Sequence, residues 1–216
     1  MKDFETLKNI NDKGVCAIVR GTSADALKRI AEALLKGGVS TIEVTFNTPG
    51  AAQMIEALCK EYADNLLVGA GTVLDEETAR IAILSGAKFV LAPTLNTKMI
   101  QTCLRYNVVP VPGVMTPTEA LTAWEAGARI VKIFPAGVLG AKYIKQLKGP
   151  LNQVDMMVVG GVGASNLPDF LKAGASSAGI GGELVNAQLV AEGKFAEITE
   201  RAKTFSRIIT DFRSKK

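Results

Sequence analysis

Eight short β-rich runs alternate with helical patterns along the 216 residues. That alternation predicts an α/β fold with a parallel eight-stranded core, closed into a (β/α)8 barrel. A recurring joint points the same way. Gly38-Val-Ser-Thr-Ile-Glu43, Gly86-Ala-Lys-Phe-Val-Leu91, Gly127-Ala-Arg-Ile-Val-Lys132 and Gly174-Ala-Ser-Ser-Ala-Gly179 each read as helix-stopping Gly, small residue, strand. They recur roughly every 45 residues, the mark of a repeated strand–helix unit. A doubly wound open sheet is the alternative, and it would carry fewer strands. The chain, residues 1–216, reads as one TIM-barrel domain of a length that can bury a full core.

The strands fall near 15–20, 40–46, 66–72, 88–92, 108–112, 129–134, 156–160 and 177–181. After the first, Leu27, Ile30, Ala31, Leu34 and Leu35 recur at helical spacing until Gly37-Gly38 stops the helix. Thr116-Pro-Thr-Glu119 supplies an N-cap, a Pro at the first helical position and a capping-box Glu, and Gly127 ends that helix. The four Gly joints mark strands two, four, six and eight. Equivalent positions on alternate strands share one interior layer of a barrel. Counting from each Gly, that layer is Glu43, Leu91, Lys132 and Gly179. Strands two and six lie opposite each other, so Glu43 and Lys132 should face one another, with Gly179 leaving space beside them. Two residues further on, Thr45, Pro93, Phe134 and Gly181 form a layer nearer the C-terminal mouth, where barrel enzymes place their chemistry.

Composition excludes several functions. Net charge is +4, from 25 basic and 21 acidic residues spread along the chain. The densest basic stretch, Arg213-Ser-Lys-Lys216, reads as a solvated tail, and no aromatic-plus-basic interleaving suggests nucleic acid. Three separated cysteines, Cys16, Cys59 and Cys103, give no disulfide framework and no Cys-x-x-Cys site. No apolar signal region follows Met1 and no run has membrane-spanning length, so a cytoplasmic protein with no membrane partner is expected. The chain has no histidine. His-based acid–base chemistry, His-bearing triads and His metal sites are therefore excluded, and no metal or cofactor is called for.

Lys132 lies inside the apolar run Arg129-Ile-Val-Lys-Ile-Phe-Pro-Ala136. Burying an ammonium is unfavourable without a partner or a task, and a desolvated amine favours its neutral form. A neutral amine adds to carbonyls, the first step of Schiff-base chemistry. That chemistry moves a proton at every step, and without histidine a carboxylate such as Glu43 is the shuttle. A purely structural Lys–Glu pair fits the same two residues. Gly160 and Gly161 follow strand seven, and Gly181 and Gly182 follow strand eight, where this fold often binds phosphate through backbone N–H groups. Arg20 ends strand one and Thr72 ends strand three, placing a guanidinium and a hydroxyl at the same mouth. A surface Arg and a strand-filling Thr are the plainer alternatives.

Ala17-Ile-Val-Arg20, Gly38-Val-Ser-Thr-Ile-Glu-Val-Thr45, Gly69-Ala-Gly-Thr-Val73, Pro112-Gly-Val-Met-Thr-Pro117, Val131-Lys-Ile-Phe-Pro135 and Gly160-Gly-Val162 span nearly the whole chain in order. In these segments the sequence resembles the pyruvate-type class I aldolases that cleave 2-keto-3-deoxy-6-phosphogluconate or 4-hydroxy-2-oxoglutarate. The resemblance implies release of pyruvate with glyceraldehyde 3-phosphate or glyoxylate. It implies Lys132 as the Schiff-base lysine and Glu43 as the general acid–base. It also implies substrate contacts from Arg20 and Thr72, pocket walls from Pro93 and Phe134, and a phosphate loop at Gly160 and Gly161. A homotrimer acting on a small 2-keto acid follows from the same resemblance.

Two positions depart from the family pattern. Many relatives have Arg where this chain has Asn47, so carboxylate binding must lean on Thr72, Arg20 or backbone. Relatives commonly have a small hydroxyl residue where this chain has Glu183, expected here at the start of a short helix. The intact Gly160-Gly161 keeps the phosphorylated acid as the expected substrate, while Glu183 opens the alternative of an unphosphorylated or different 2-keto-3-deoxy acid. A sugar-phosphate isomerase or decarboxylase, or a non-catalytic sugar-acid-binding barrel, would share the fold.

Overall fold

The computed structural model describes residues 2–63 and 65–215. Its strands are β1 (Val15–Val19), β2 (Thr41–Thr45), β3 (Leu67–Gly71), β4 (Phe89–Leu91), β5 (Val109–Val111), β6 (Gly113–Val114), β7 (Ile130–Ile133), β8 (Asp155–Val159) and β9 (Ser177–Ile180). All pairings are parallel, in the order β5-β4-β3-β2-β1-β9-β8-β7-β6. Every expected strand is present.

The ninth piece comes from a break. The expected fifth strand, 108–112, is two segments divided at Pro112, which has no N–H for a ladder bond. Pairing resumes beyond it. The Pro112 carbonyl accepts from Lys132 N–H at 2.8 Å, and Gly113 N–H donates to the Thr94 carbonyl at 3.2 Å. β5 and β6 thus act as one bent strand that joins β4 to β7 and brings the barrel nearly to closure. Gly113 is required at the bend, because a Cβ there would lie 2.3 Å from the Pro93 carbonyl carbon.

The helices on the N-terminal side of the chain are α1 (Lys2–Lys13), α2 (Ala24–Lys36), α3 (Ala51–Tyr62), α4 (Glu76–Leu84) and α5 (Thr97–Arg105). They are followed by α6 (Pro117–Glu125), α7 (Ala136–Lys148), α8 (Leu167–Lys172), α9 (Ala187–Ala191) and α10 (Phe195–Arg213). The α2 helix starts at Ser23, whose side chain accepts from Ala26 N–H, and ends at Gly37, as its spacing predicts. The capping box read from Thr116 and Glu119 is formed at the start of α6. α10 closes the outer ring against α2, so tightly that a Cβ on Gly37 would meet Ala202 Cβ at 2.3 Å.

Strand alternation divides the core in two. One face of each strand packs outward against the helices. The other fills the barrel with Cys16, Phe89, Leu91, Val109, Val111, Ile130, Met157 and Val159. Phe89 fits because Gly69 is opposite: a Cβ there would lie 2.3 Å from its ring. The strand–helix count does not foresee α1. This helix sends Leu7 and Ile10 into the barrel's interior cluster, and Asn11 Nδ2 donates to Asp155 Oδ2 at 2.7 Å. It stops the N-terminal end of the barrel and leaves the opposite mouth open. Among the described residues no helix is long and apolar enough to cross a membrane.

Candidate functional site

Lys132 stands in the middle of β7 with Gly113 beside it in register on one side and Met157 on the other. It is 5% exposed. Its Nζ lies 5.1 Å from the centroid of the Phe134 ring, which is 37% exposed at the mouth. The amine is therefore sunk one layer below the opening, under an aromatic face that stabilises a cation.

Glu43 on β2 is 1% exposed, and its Oε2 has no hydrogen-bond partner. A Cβ on Gly71 would lie 1.5 Å from Glu43 Oε1. The carboxylate thus occupies the side-chain space that Gly71 leaves empty. Burial pushes the Glu43 carboxyl above its ordinary value, and the charges of Lys132 and Arg20 pull it partly back. Cys16 feels the same pair: burial first and Glu43 second push its thiol well up, while Lys132 opposes them. Glu43 and Lys132 therefore share one interior neighbourhood, as the layer count expects. Their groups are not joined by an ion pair within 4.0 Å. The acid and the amine thus sense each other electrostatically without forming an ion pair.

Gly179 does not leave the expected space. A Cβ there would meet Val159 Cγ2 at 3.0 Å and Ile18 Cδ1 at 3.1 Å, so these side chains fill that part of the layer. The room is at Gly71 instead. Thr45 is fully buried, and its hydroxyl donates to the Val19 carbonyl at 3.3 Å, within 3.2 Å of the Thr48 hydroxyl. Thr48 in turn accepts from Gly21 N–H at 2.9 Å. This pair of threonines ties the loop after β2 to the turn that carries Arg20. Sequence reasoning missed Thr48, whose only signal was a hydroxyl two residues past the strand.

The remaining expected residues lie at the C-terminal ends of their strands. Arg20, just past β1, is exposed and close enough to act on Glu43 electrostatically. Thr72 follows β3 with φ of 56°, a left-handed conformation that is strained for a β-branched residue. Such strain is a common feature of ligand-binding positions. Pro93 follows β4 and is half-buried. Gly160 and Gly161 both have positive φ, 85° and 70°. A Cβ on Gly160 would meet the Phe134 ring at 2.9 Å, and Gly137 N–H donates to the Gly160 carbonyl at 2.7 Å. Around Gly181 and Gly182 there is open space. Asn47 is exposed.

Glu183 is not at a helix start. It lies in a turn after β9, closed by Leu184 and Val185 N–H groups on the Gly181 carbonyl at 2.9 and 2.8 Å. The α9 helix begins later because Asn186 is the better cap: its side chain accepts from Gln188 and Leu189 N–H.

Known proteins match this chain in sequence and in architecture. The family model "KDPG and KHG aldolase" matches residues 7–201. The 2-dehydro-3-deoxy-6-phosphogalactonate aldolase of Escherichia coli K12 is 37% identical over 172 residues, 79% of this chain and 84% of that protein. The 2-dehydro-3-deoxy-phosphogluconate aldolase of Treponema pallidum is 36% identical over 207 residues, 95% of this chain and 97% of that protein. Among solved structures, the KDPG aldolase of Legionella pneumophila, with pyruvate captured as a covalent carbinolamine, superposes with a TM-score of 0.85. It is 26% identical, over 90% of this chain and 94% of that one. With the family model running from residue 7 to 201 and relatives 36–37% identical over most of its length, the chain belongs to the KDPG and KHG aldolase family of carbon–carbon lyases.

Proposed function

We propose that the chain is a class I aldolase that cleaves a 2-keto-3-deoxy sugar acid to pyruvate and an aldehyde through a Schiff base on Lys132. The observation that carries this reading is the buried Lys132 amine with the unpartnered Glu43 carboxyl in the same interior layer. The carbinolamine captured in the Legionella pneumophila relative supports the covalent route. The relatives' names differ in the sugar acid and share its keto end, so the pyruvate half is the common part.

In the proposed cycle, Lys132 Nζ adds to the C2 ketone and gives a carbinolamine. Glu43 delivers a proton to the departing hydroxyl, directly or through one water, and water leaves as the imine forms. The protonated imine is an electron sink. The C4 hydroxyl loses its proton, the C3–C4 bond breaks, and its electron pair moves into an enamine. The aldehyde departs, C3 takes a proton, and water hydrolyses the imine to free pyruvate and Lys132. Burial raises the Glu43 carboxyl, which favours its role as a proton donor as well as an acceptor. Arg20 and the Thr72 hydroxyl hold the C1 carboxylate, with Pro93 and Phe134 as the walls beside it. The glycines at 160, 161, 181 and 182 face the aldehyde end.

A homotrimer in a reducing, cytoplasmic compartment completes the proposal. Exposed apolar side chains on two helices that flank α5 support the assembly: Ile81 and Leu84 on α4, and Leu121 on α6. Three free cysteines suit the compartment.

The test is pyruvate release, followed with lactate dehydrogenase and NADH. The panel is 2-keto-3-deoxygluconate, its 6-phosphate and 4-hydroxy-2-oxoglutarate. At least one should be cleaved by the wild type and none by Lys132→Arg. Binding without pyruvate release across the panel would favour the non-catalytic sugar-acid barrel.

A further inference from the structure

We propose that Glu183 sets the substrate class at the aldehyde end: it selects a 2-keto-3-deoxy acid whose tail ends in a neutral hydroxyl and disfavours one that ends in phosphate. This deepens the aldolase reading and rests on it.

The site has a continuous wall from the amine outward. Lys132 Nζ lies under the Phe134 ring, and Gly160 packs against that ring. The loop after β8 then runs on through Gly161 and Val162 to Gly163. β8 and β9 are neighbours, with Val159 opposite Gly179, so the loop after β9 lies alongside. Glu183 bridges the two. A Cβ on Gly163 would lie 3.3 Å from Glu183 Oε2 and 3.4 Å from its Cγ. The carboxylate of one loop therefore lies over the backbone of the other. Beside it, apart from the adjoining residues of the chain, no atom lies within 4 Å of where a Cβ would stand on Gly181 or Gly182.

Among the described residues the Glu183 carboxylate has neither a hydrogen bond nor an ion pair. Arg201 reaches only the Glu183 carbonyl, at 3.3 Å, and its guanidinium pairs with Glu197 at 3.1 Å. The N–H groups of Gly161, Gly182 and Glu183 donate to no protein acceptor among the described residues. Without Glu183 this would be a seat for an anion. Gly160-Gly161 alone argues for phosphate, and the position of Glu183 reverses that argument.

A phosphate carries nearly two negative charges near neutral pH. A carboxylate about 5 Å from it would weaken binding roughly tenfold to hundredfold, after allowance for solvent screening at the exposed mouth. An ionised carboxylate only accepts hydrogen bonds, so a terminal hydroxyl is a matched donor.

The test compares kcat/KM for 2-keto-3-deoxygluconate and its 6-phosphate in the wild type, Glu183→Gln and Glu183→Ser. The wild type should prefer the unphosphorylated acid at least tenfold. Glu183→Gln keeps the size and removes the charge, so it should raise the phosphorylated substrate roughly tenfold to hundredfold. Glu183→Ser should do the same, and both gains should shrink as salt is added. A wild type that prefers the phosphate overturns the proposal, as do variants that change both substrates equally. Cleavage of neither acid, with a borohydride-trapped pyruvate adduct still formed, overturns it while leaving the aldolase reading intact. A wild type that traps no pyruvate removes the aldolase reading and this proposal with it.

Discussion

Glu43 separates a catalytic role from a structural one by the sign of its pH dependence. Burial raises its carboxyl, with Lys132 and Arg20 opposing that rise. The folded chain therefore holds this proton more tightly than the unfolded chain does. Its contribution to stability is fully present below the ordinary carboxyl value and is lost as pH rises through the raised one. A stabilising Lys–Glu pair would have the opposite sign. At a pH above the raised carboxyl value, Glu43→Gln should then melt at the same temperature or higher, while turnover falls by about 10²–10⁴. Calorimetry across pH together with steady-state rates reads both. Near-normal turnover with a lower melting temperature would return Glu43 to a structural role. Lys132 and Glu43 were legible in the sequence because each interrupts a strand of apolar residues with a charge. Thr48 was not, because its partner Gly21 is distant along the chain and is brought beside it only where the loops after the paired strands β1 and β2 meet.

At the scale of elements, glycines shape the interior. Gly71 gives Glu43 its space, so Gly71→Ala must move the carboxylate. Overfilling a packed site costs about 1–3 kcal/mol. Gly71→Ala should thus stay folded and lose turnover about as severely as Glu43→Gln, with thermal melting separating the two effects. Full activity in Gly71→Ala would mean that the carboxyl's present position does not matter. Gly113→Ala is a different case, since the added methyl meets Pro93 backbone that cannot rotate aside. It should lower the melting temperature more than Gly71→Ala does. The strand pattern was legible throughout because parallel strands buried on both faces read as apolar runs between glycine stops. Pro112 broke one such run, and the pairing beyond it came from neighbours that the run does not contain. The α1 plug was hidden among the charges of residues 2–13, where, among the described residues, Leu7 and Ile10 are the two that join the barrel's interior cluster. The turn at Glu183 was hidden for the converse reason: a nearby Asn186 wins the helix cap.

For the whole molecule, the apolar surface on α4 and α6 predicts assembly. Leu84 is 69% exposed and Leu121 is 42% exposed, on helices joined through α5. Light scattering should give a mass three times that of one chain. Leu84→Glu combined with Leu121→Glu should shift it toward the monomer, whereas a wild-type monomer would contradict the trimer. The proposed chemistry of the barrel turns on Lys132, the buried lysine of β7, acting as a nucleophile. Borohydride reduction of the protein with pyruvate, read by intact mass and then by peptide mapping, tests it directly. One pyruvate-derived adduct per chain is expected, on Lys132 and absent from Lys132→Arg. An adduct on another lysine, or one that persists in Lys132→Arg, would contradict it.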